Sequence, residues 1–339
     1  GGRMAPVSLL FACLTKNCRP IPLSYVAAVG WCFSVSILFV AALYFLVPAK
    51  VRQLDRNAAI HIKWRTCAVF TVCTIVTILF PILMCSSYQE EEQTAVSALK
   101  LMGWTSGDIL QVVLLQTNLL YTGPIVTSLL YTRYAHRRLQ SGGKKVSFLQ
   151  TFYMLHIEPI VLSFSDGDSP QRWSQIRNLL VAPLTEEVIF RGCMVYPLLL
   201  SGLTPLHTCL VAPLFFGTAH FHHALLKYKQ GMPIRNVVML TTFQFAYTSL
   251  FGAYATVAFI RTGSISAITL SHSFCNLMGL PDFGFMKQNG ARLSCLYPYR
   301  WTLLTSYVVG ICMFAWSFKI PCILPSSPGR LADLMVGRL

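Results

Sequence analysis

Thr185-Glu186-Glu187-Val188-Ile189-Phe190-Arg191 places two carboxylates and a guanidinium in the middle of an apolar run, 176–200, that is long enough to cross a bilayer. A charged side chain at the centre of a spanning helix costs roughly 2.5–3.5 kcal/mol on insertion scales. Three such groups in one span must face protein or water, and each needs a partner. The composition around them agrees with a membrane setting. Of 339 residues, 54% are hydrophobic and 12% are charged, about half the charged share of roughly 25% usual in soluble domains.

Seven further apolar runs accompany this one, at about 23–47, 66–85, 109–131, 206–226, 237–260, 265–280 and 301–324. The expected fold is therefore all-α, a polytopic membrane protein of about eight transmembrane helices. A short segment, 148–164, is apolar but carries His156, Glu158 and Pro159, and reads as interfacial or re-entrant. Residues 1–20 form a membrane-proximal lead-in of undefined role. Residues 21–325 form a single membrane domain with its core at 176–280, and 326–339 are a tail.

The net charge is +15, but the basic residues sit in alternate loops. Lys50, Arg52, Arg56, Lys63 and Arg65 follow the first run; Arg133, Arg137, Arg138, Lys144 and Lys145 follow the third; Lys227, Lys229 and Arg235 follow the fifth. That is the positive-inside pattern and assigns those loops to the cytosol. The acidic loop Glu90-Glu91-Glu92 goes to the other side as a solvated charge run. No basic face or nucleic-acid module accompanies the charge, which excludes nucleic acid as a partner. The twelve cysteines contain no C-x-x-C and lie mostly inside apolar runs. They read as small buried hydrophobes rather than a disulfide framework or a zinc site.

Glu187 and Arg191 are four residues apart and share a helix face, so they can pair. Glu186 is turned about 100° away, and the two glutamates cannot form a carboxylate dyad. Glu186 needs a partner on another helix. His220 lies in the fifth run, four residues after Phe216 and on the same face, and His272 and Asn276 are likewise four apart in the seventh. A glutamate and a neutral histidine can activate a water, and a histidine with an asparagine can offer donors to a developing oxyanion. His222 and His223 are turned off the His220 face and read as a solvated helix end. Neither H-E-x-x-H nor G-x-S-x-G is present.

Glu186-Glu187-x-x-x-Arg191, Phe216-x-x-x-His220 and His272-x-x-x-Asn276, in this order on successive helices, resemble the type II CAAX prenyl protease family, the Abi or CPBP membrane proteases. The stretches VAPLTEEVIFRGCM, APLFFGTAHFHH and SHSFCNLMG look most like its eukaryotic branch, and the likeness covers about 176–280. The resemblance implies an eight-helix endopeptidase of the endoplasmic reticulum with an intramembrane catalytic cavity reached from the cytosol. It would remove the aaX tripeptide from farnesylated or geranylgeranylated CAAX proteins, Ras-like ones among them, at the membrane lipid and without a cofactor or metal. On the same basis Glu186 and His220 would be catalytic, His272 and Asn276 would form the oxyanion hole, and Glu187, Arg191 and Phe216 would support the site.

Two alternatives stand beside this reading. His220, His272 and Glu186 are a chemically possible zinc set, which would make the chain a metal-dependent membrane hydrolase. Buried carboxylates also serve transporters and lipid-binding proteins, although no internal repeat supports that class. Glu186 stands about ten residues, or ~15 Å of helix rise, from the cytosolic end of its run. A hydrolase therefore needs a water-filled cavity reaching it.

Overall fold

The computed structural model describes residues 19–86, 98–104 and 110–319. The lead-in up to residue 18, the Glu90–Glu92 run and the tail 326–339 lie outside the described residues. The chain is helical nearly throughout, with a two-residue antiparallel pairing of Arg19 with Ser86 and Pro20 with Cys85. It divides into two compact units, one holding described residues up to 104 and 181–270, the other 110–180 and 271–319.

The first unit opens with α1 (Tyr25–Phe45), started by Ser24, whose hydroxyl accepts from the Ala27 N–H. One stripe of α1 is buried, Ala28, Cys32, Val35, Phe39 and Ala42, while Val26 and Phe45 on other faces are 79% and 84% exposed. A helix apolar on every face belongs in lipid. α2 (Ala59–Met84) packs against it and begins seven residues before the expected span. Lys63 and Arg65, assigned to the loop by their charge, therefore sit on its first turns, where long cationic stems can snorkel.

After these come α3 (Thr122–Ser141), in the second unit, and a segmented stretch built of Pro170–Ile176, a π-helical turn at Arg177–Val181, α4 (Ala182–Glu187), a second π turn at Val188–Gly192, and α5 (Val195–Leu200). The first unit continues with α6 (Pro205–Ala219), α7 (His222–Lys229) and α8 (Ile234–Thr262). Gly263 closes α8 in the left-handed conformation, φ +61°, which only glycine adopts freely. α9 (Ile265–Met278) follows directly, and α10 (Arg300–Ser317) lies in the second unit.

α6 and α8 form the most extensively packed helix pair of the first unit. Gly217 of α6 faces Phe245 and Ser249, and Gly252 of α8 faces Pro213. Small residues at such crossings let membrane helices approach backbone to backbone. The second unit uses the same device. Gly123 of α3 lies under the Tyr307 ring of α10, and Gly310 of α10 lies against the Leu119 carbonyl. Phe285, Leu293, Leu296, Leu303 and Tyr307 form its core cluster.

The 148–164 segment is helical and pinned to α3 by His156–Thr132 and His136–Thr151 hydrogen bonds of 2.9 and 3.2 Å. Leu149 and Leu162 stay 77% and 60% exposed, as an interfacial helix requires.

Among the described residues, four helices are long and apolar enough to cross a membrane: α1, α2, the α6–α7 stretch Pro205–Lys229, and α8. The chain is thus an all-α, multi-pass membrane protein, but this measure does not reach the expected eight spans. Two of the remaining runs fall short for visible reasons. The fourth is cut by π turns, and the seventh is a helix of 14 residues.

Candidate active site

The first unit brings together Glu187, Arg191, Phe216 and His220, and carries Glu186 next to Glu187 on α4. α4 ends at Glu187, and the next turn widens so that the Cys193 N–H reaches back to the Val188 carbonyl at 3.0 Å. A π turn at membrane depth loosens the regular backbone ladder, and neighbouring helices supply donors nearby. Trp31 Nε1–H donates to the Cys193 carbonyl at 2.8 Å, Cys32 Sγ–H to Met194 at 3.8 Å, and Cys73 Sγ–H to Thr185 at 3.7 Å. Irregular backbone is tolerated inside a bilayer only where protein or water covers it in this way.

Within that turn the two glutamates part company. Glu187 is wholly buried, at 0% exposure, and Arg191 is 1% exposed. Arg191 Nη1 reaches both carboxylate oxygens of Glu187 at 3.1 Å, the pairing expected from their spacing. The same guanidinium lies 4.7 Å over the Phe216 ring and 5.6 Å from Phe251, a desolvated cation–π arrangement. Glu186 is only half-buried. It is near enough to Arg191, to Cys73 of α2 and to Tyr247 of α8 to act on each electrostatically.

Phe216 carries the contact onward to the histidine. Its ring meets Phe190 edge-on at 5.1 Å and His220 edge-on at 4.9 Å. α6 stops at His220. In an unbroken α-helix the His220 N–H would bond the Phe216 carbonyl; here it turns to Gly217 O at 3.1 Å. The Phe216 carbonyl instead accepts the His220 side chain, Nδ1–H···O at 2.8 Å. That bond fixes the tautomer of the neutral ring: the proton is on Nδ1, and Nε2 then presents a lone pair. The single-span reading of 206–226 did not foresee this break.

The second unit holds His272 and Asn276, both on α9. His272 is buried and Asn276 exposed. Asn276 Nδ2 donates to the Asn178 carbonyl at 2.9 Å, which leaves its second amide proton for another acceptor. One residue before His272 on the same helix, buried Ser271 shares a 2.8 Å hydrogen bond with Thr117. Asn178 stands 98 positions from Asn276, a pairing for which the sequence carries no signal.

His222 and His223 differ from the solvated helix end expected of them. Both are half-buried with their rings 3.9 Å apart, and Arg56 Nη1 donates to His223 Nδ1 at 3.0 Å. The loop between α1 and α2 folds back over the α6–α7 junction, so helix-face geometry alone misjudged their exposure. Among the described residues no three His, Cys, Asp or Glu side chains are grouped to hold a metal ion.

Residues 168–278 match the family described as type II CAAX prenyl endopeptidase, Rce1-like. The chain is 34% identical over 294 residues to CAAX prenyl protease 2 of Homo sapiens, which covers 84% of this chain and 77% of the human one. It is 29% identical over 260 residues to CAAX prenyl protease 2 of Arabidopsis thaliana, covering 75% and 80% of the two chains. It is 43% identical over 108 residues to the probable CAAX prenyl protease 2 of Schizosaccharomyces pombe, covering 31% and 39%. No solved structure matches the chain.

Proposed function

Since the chain belongs to the type II CAAX prenyl endopeptidase family and is a membrane-embedded CAAX endopeptidase, we propose that it releases the aaX tripeptide from prenylated CAAX proteins with a water activated by Glu186 and His220. The observation that carries this is the 2.8 Å bond from His220 Nδ1 to the Phe216 carbonyl. It keeps the imidazole oriented with its Nε2 lone pair available to a water. The separation of the glutamates supports the same roles. Glu187 is committed to Arg191, and the half-buried Glu186 can meet solvent and substrate.

In the proposed reaction Glu186 takes a proton from water held by His220 Nε2. The hydroxide adds to the carbonyl carbon of the prenylcysteine, and His272 and Asn276 donate to the oxyanion. The C–N bond then breaks, the proton passes to the leaving amine, and the tripeptide departs with a new amino terminus. The farnesyl or geranylgeranyl chain lies among apolar helix faces, while the peptide enters from the cytosolic side of the endoplasmic reticulum membrane, where the basic loops are assigned.

Purified protein given a farnesylated CAAX peptide should release the tripeptide, detected by mass spectrometry. Glu186→Gln and His220→Gln should each lower the rate by about a thousandfold or more. Near-normal cleavage by folded Glu186→Gln protein would sink this mechanism.

A further inference from the structure

Beside His220 the first unit holds a cluster with no part in the mechanism above: Tyr44, Arg56, Arg65, His222 and His223. Arg56 is half-buried in the loop between α1 and α2. Its partners among the described residues are His223, 3.0 Å away, and Tyr44, neither of which carries a carboxylate. Arg65 is close enough to act electrostatically on both histidine rings. Because Arg56 only donates, His223 Nδ1 must be the acceptor, and the ring adds no negative charge to balance the guanidinium. Burial pulls the Arg56 pKa down and Tyr44 opposes it, the mark of a cation short of compensation.

Two polar atoms in this cluster are buried without a hydrogen-bond partner among the described residues, the Tyr44 hydroxyl and His222 Nε2. His222 Nδ1–H is spent on the Ala219 carbonyl at 2.7 Å, so Nε2 is an acceptor. The cluster thus offers a cation and a hydroxyl donor to an anion, and an acceptor to a neighbouring N–H. That is the complement of a peptide's carboxyl end.

The spacing to the hydrolytic site fits as well. The His220 and His223 rings are 5.9 Å apart, and Arg56 Nη1 is 3.0 Å from His223 Nδ1. Three extended residues reach about 10 Å, the length of an aaX tail from scissile bond to terminus. Resting on the proposed role of His220, we infer that Arg56, with Tyr44 and His222, binds the C-terminal α-carboxylate of the substrate. The site then measures three residues from the cut and selects a free carboxyl end.

The test compares one farnesylated CAAX peptide as the free acid, as the C-terminal amide, and with one residue added. Unaltered enzyme should cleave the amide and the extended peptide with kcat/KM about tenfold or more below the acid. Arg56→Gln should lose a similar factor on the acid and bring the acid-to-amide ratio close to one, and Arg56→Lys should restore part of it. Equal cleavage of acid and amide by the unaltered enzyme overturns the inference. So does an Arg56→Gln loss that is the same on both peptides, which marks a structural role. A loss that appears only in vesicles containing anionic lipid, with the ratio intact, also overturns it and assigns the cluster to headgroups. The proposed mechanism fails differently, through cleavage by Glu186→Gln protein, whatever the acid-to-amide ratio.

Discussion

The Arg191 guanidinium is centred 4.7 Å over the Phe216 ring, so one arginine binds the two motif-bearing elements to each other. It neutralises Glu187 within its own turn and stacks on the residue that precedes His220 by one helical turn. A charge that looked costly in the sequence therefore packs against the residue that holds the neighbouring histidine.

The two glutamates should respond oppositely to substitution. Glu187→Gln leaves Arg191 buried beside a neutral amide, and removing one member of a buried pair costs about 3–5 kcal/mol. A large fall in the thermal midpoint of the detergent-solubilised protein is expected. Glu186→Gln should leave that midpoint nearly unchanged while abolishing turnover. A stable, inactive Glu187→Gln with an unstable Glu186→Gln would reverse the assigned roles.

Phe216→Leu keeps an apolar side chain but removes the ring face from Arg191 and the edge contact from His220. A desolvated cation–π contact is worth about 2 kcal/mol, which sets the expected stability loss. Because the contact also positions His220, kcat should fall about tenfold while KM changes little. Unchanged kcat in the destabilised variant would show that Phe216 packs without orienting the histidine.

The pairing of Glu187 with Arg191 was legible because an i, i+4 spacing is local. So was the distinction between the two glutamates, since helix rotation separates neighbours. The end of α6 at His220 was not legible. An apolar run through Phe221 carries no stop signal, and the bond that orients the imbidazole nitrogen Nδ1 replaces a backbone bond rather than adding a residue type. The Arg56–His223 and Asn276–Asn178 contacts span 167 and 98 positions and depend on how elements distant in the chain come to pack. The described helices stop short of the expected span count for a related reason: hydropathy sees apolar length but not the π turns that cut 176–200 into short pieces.

His156 gives a pH dependence outside the spanning helices. Thr132 donates its hydroxyl to the Ser128 carbonyl, so His156 Nε2–H must donate to Thr132 Oγ1 at 2.9 Å. Burial, then the nearby Arg292, lowers its pKa from 6.5, against a smaller rise from the Ser128 backbone. The unfolded chain therefore binds the proton first. The stability this neutral histidine contributes is complete above pH 6.5 and is lost as pH falls from there through the lower folded value. Thermal midpoints should decline on acidification below that point, and His156→Gln should flatten this part of the profile. An unchanged profile in His156→Gln would assign the acid sensitivity elsewhere.

Gly217 tests whether close helix approach sets the site. It lies between Phe216 and His220, and a methyl group there would fall on Ser249 Oγ and 2.8 Å from Phe245 Cδ2 of α8. Overpacking of this kind costs about 1–3 kcal/mol, and the strain falls on the turn whose carbonyl holds His220 Nδ1. Gly217→Ala should therefore lose both stability and kcat. Gly123→Ala meets the Tyr307 ring in the second unit and should lose stability by a similar amount. Measured in detergent at a temperature where both variants remain folded, only Gly217→Ala should show a kcat deficit. Equal deficits in the two would mean that general loosening, rather than the position of His220, limits turnover.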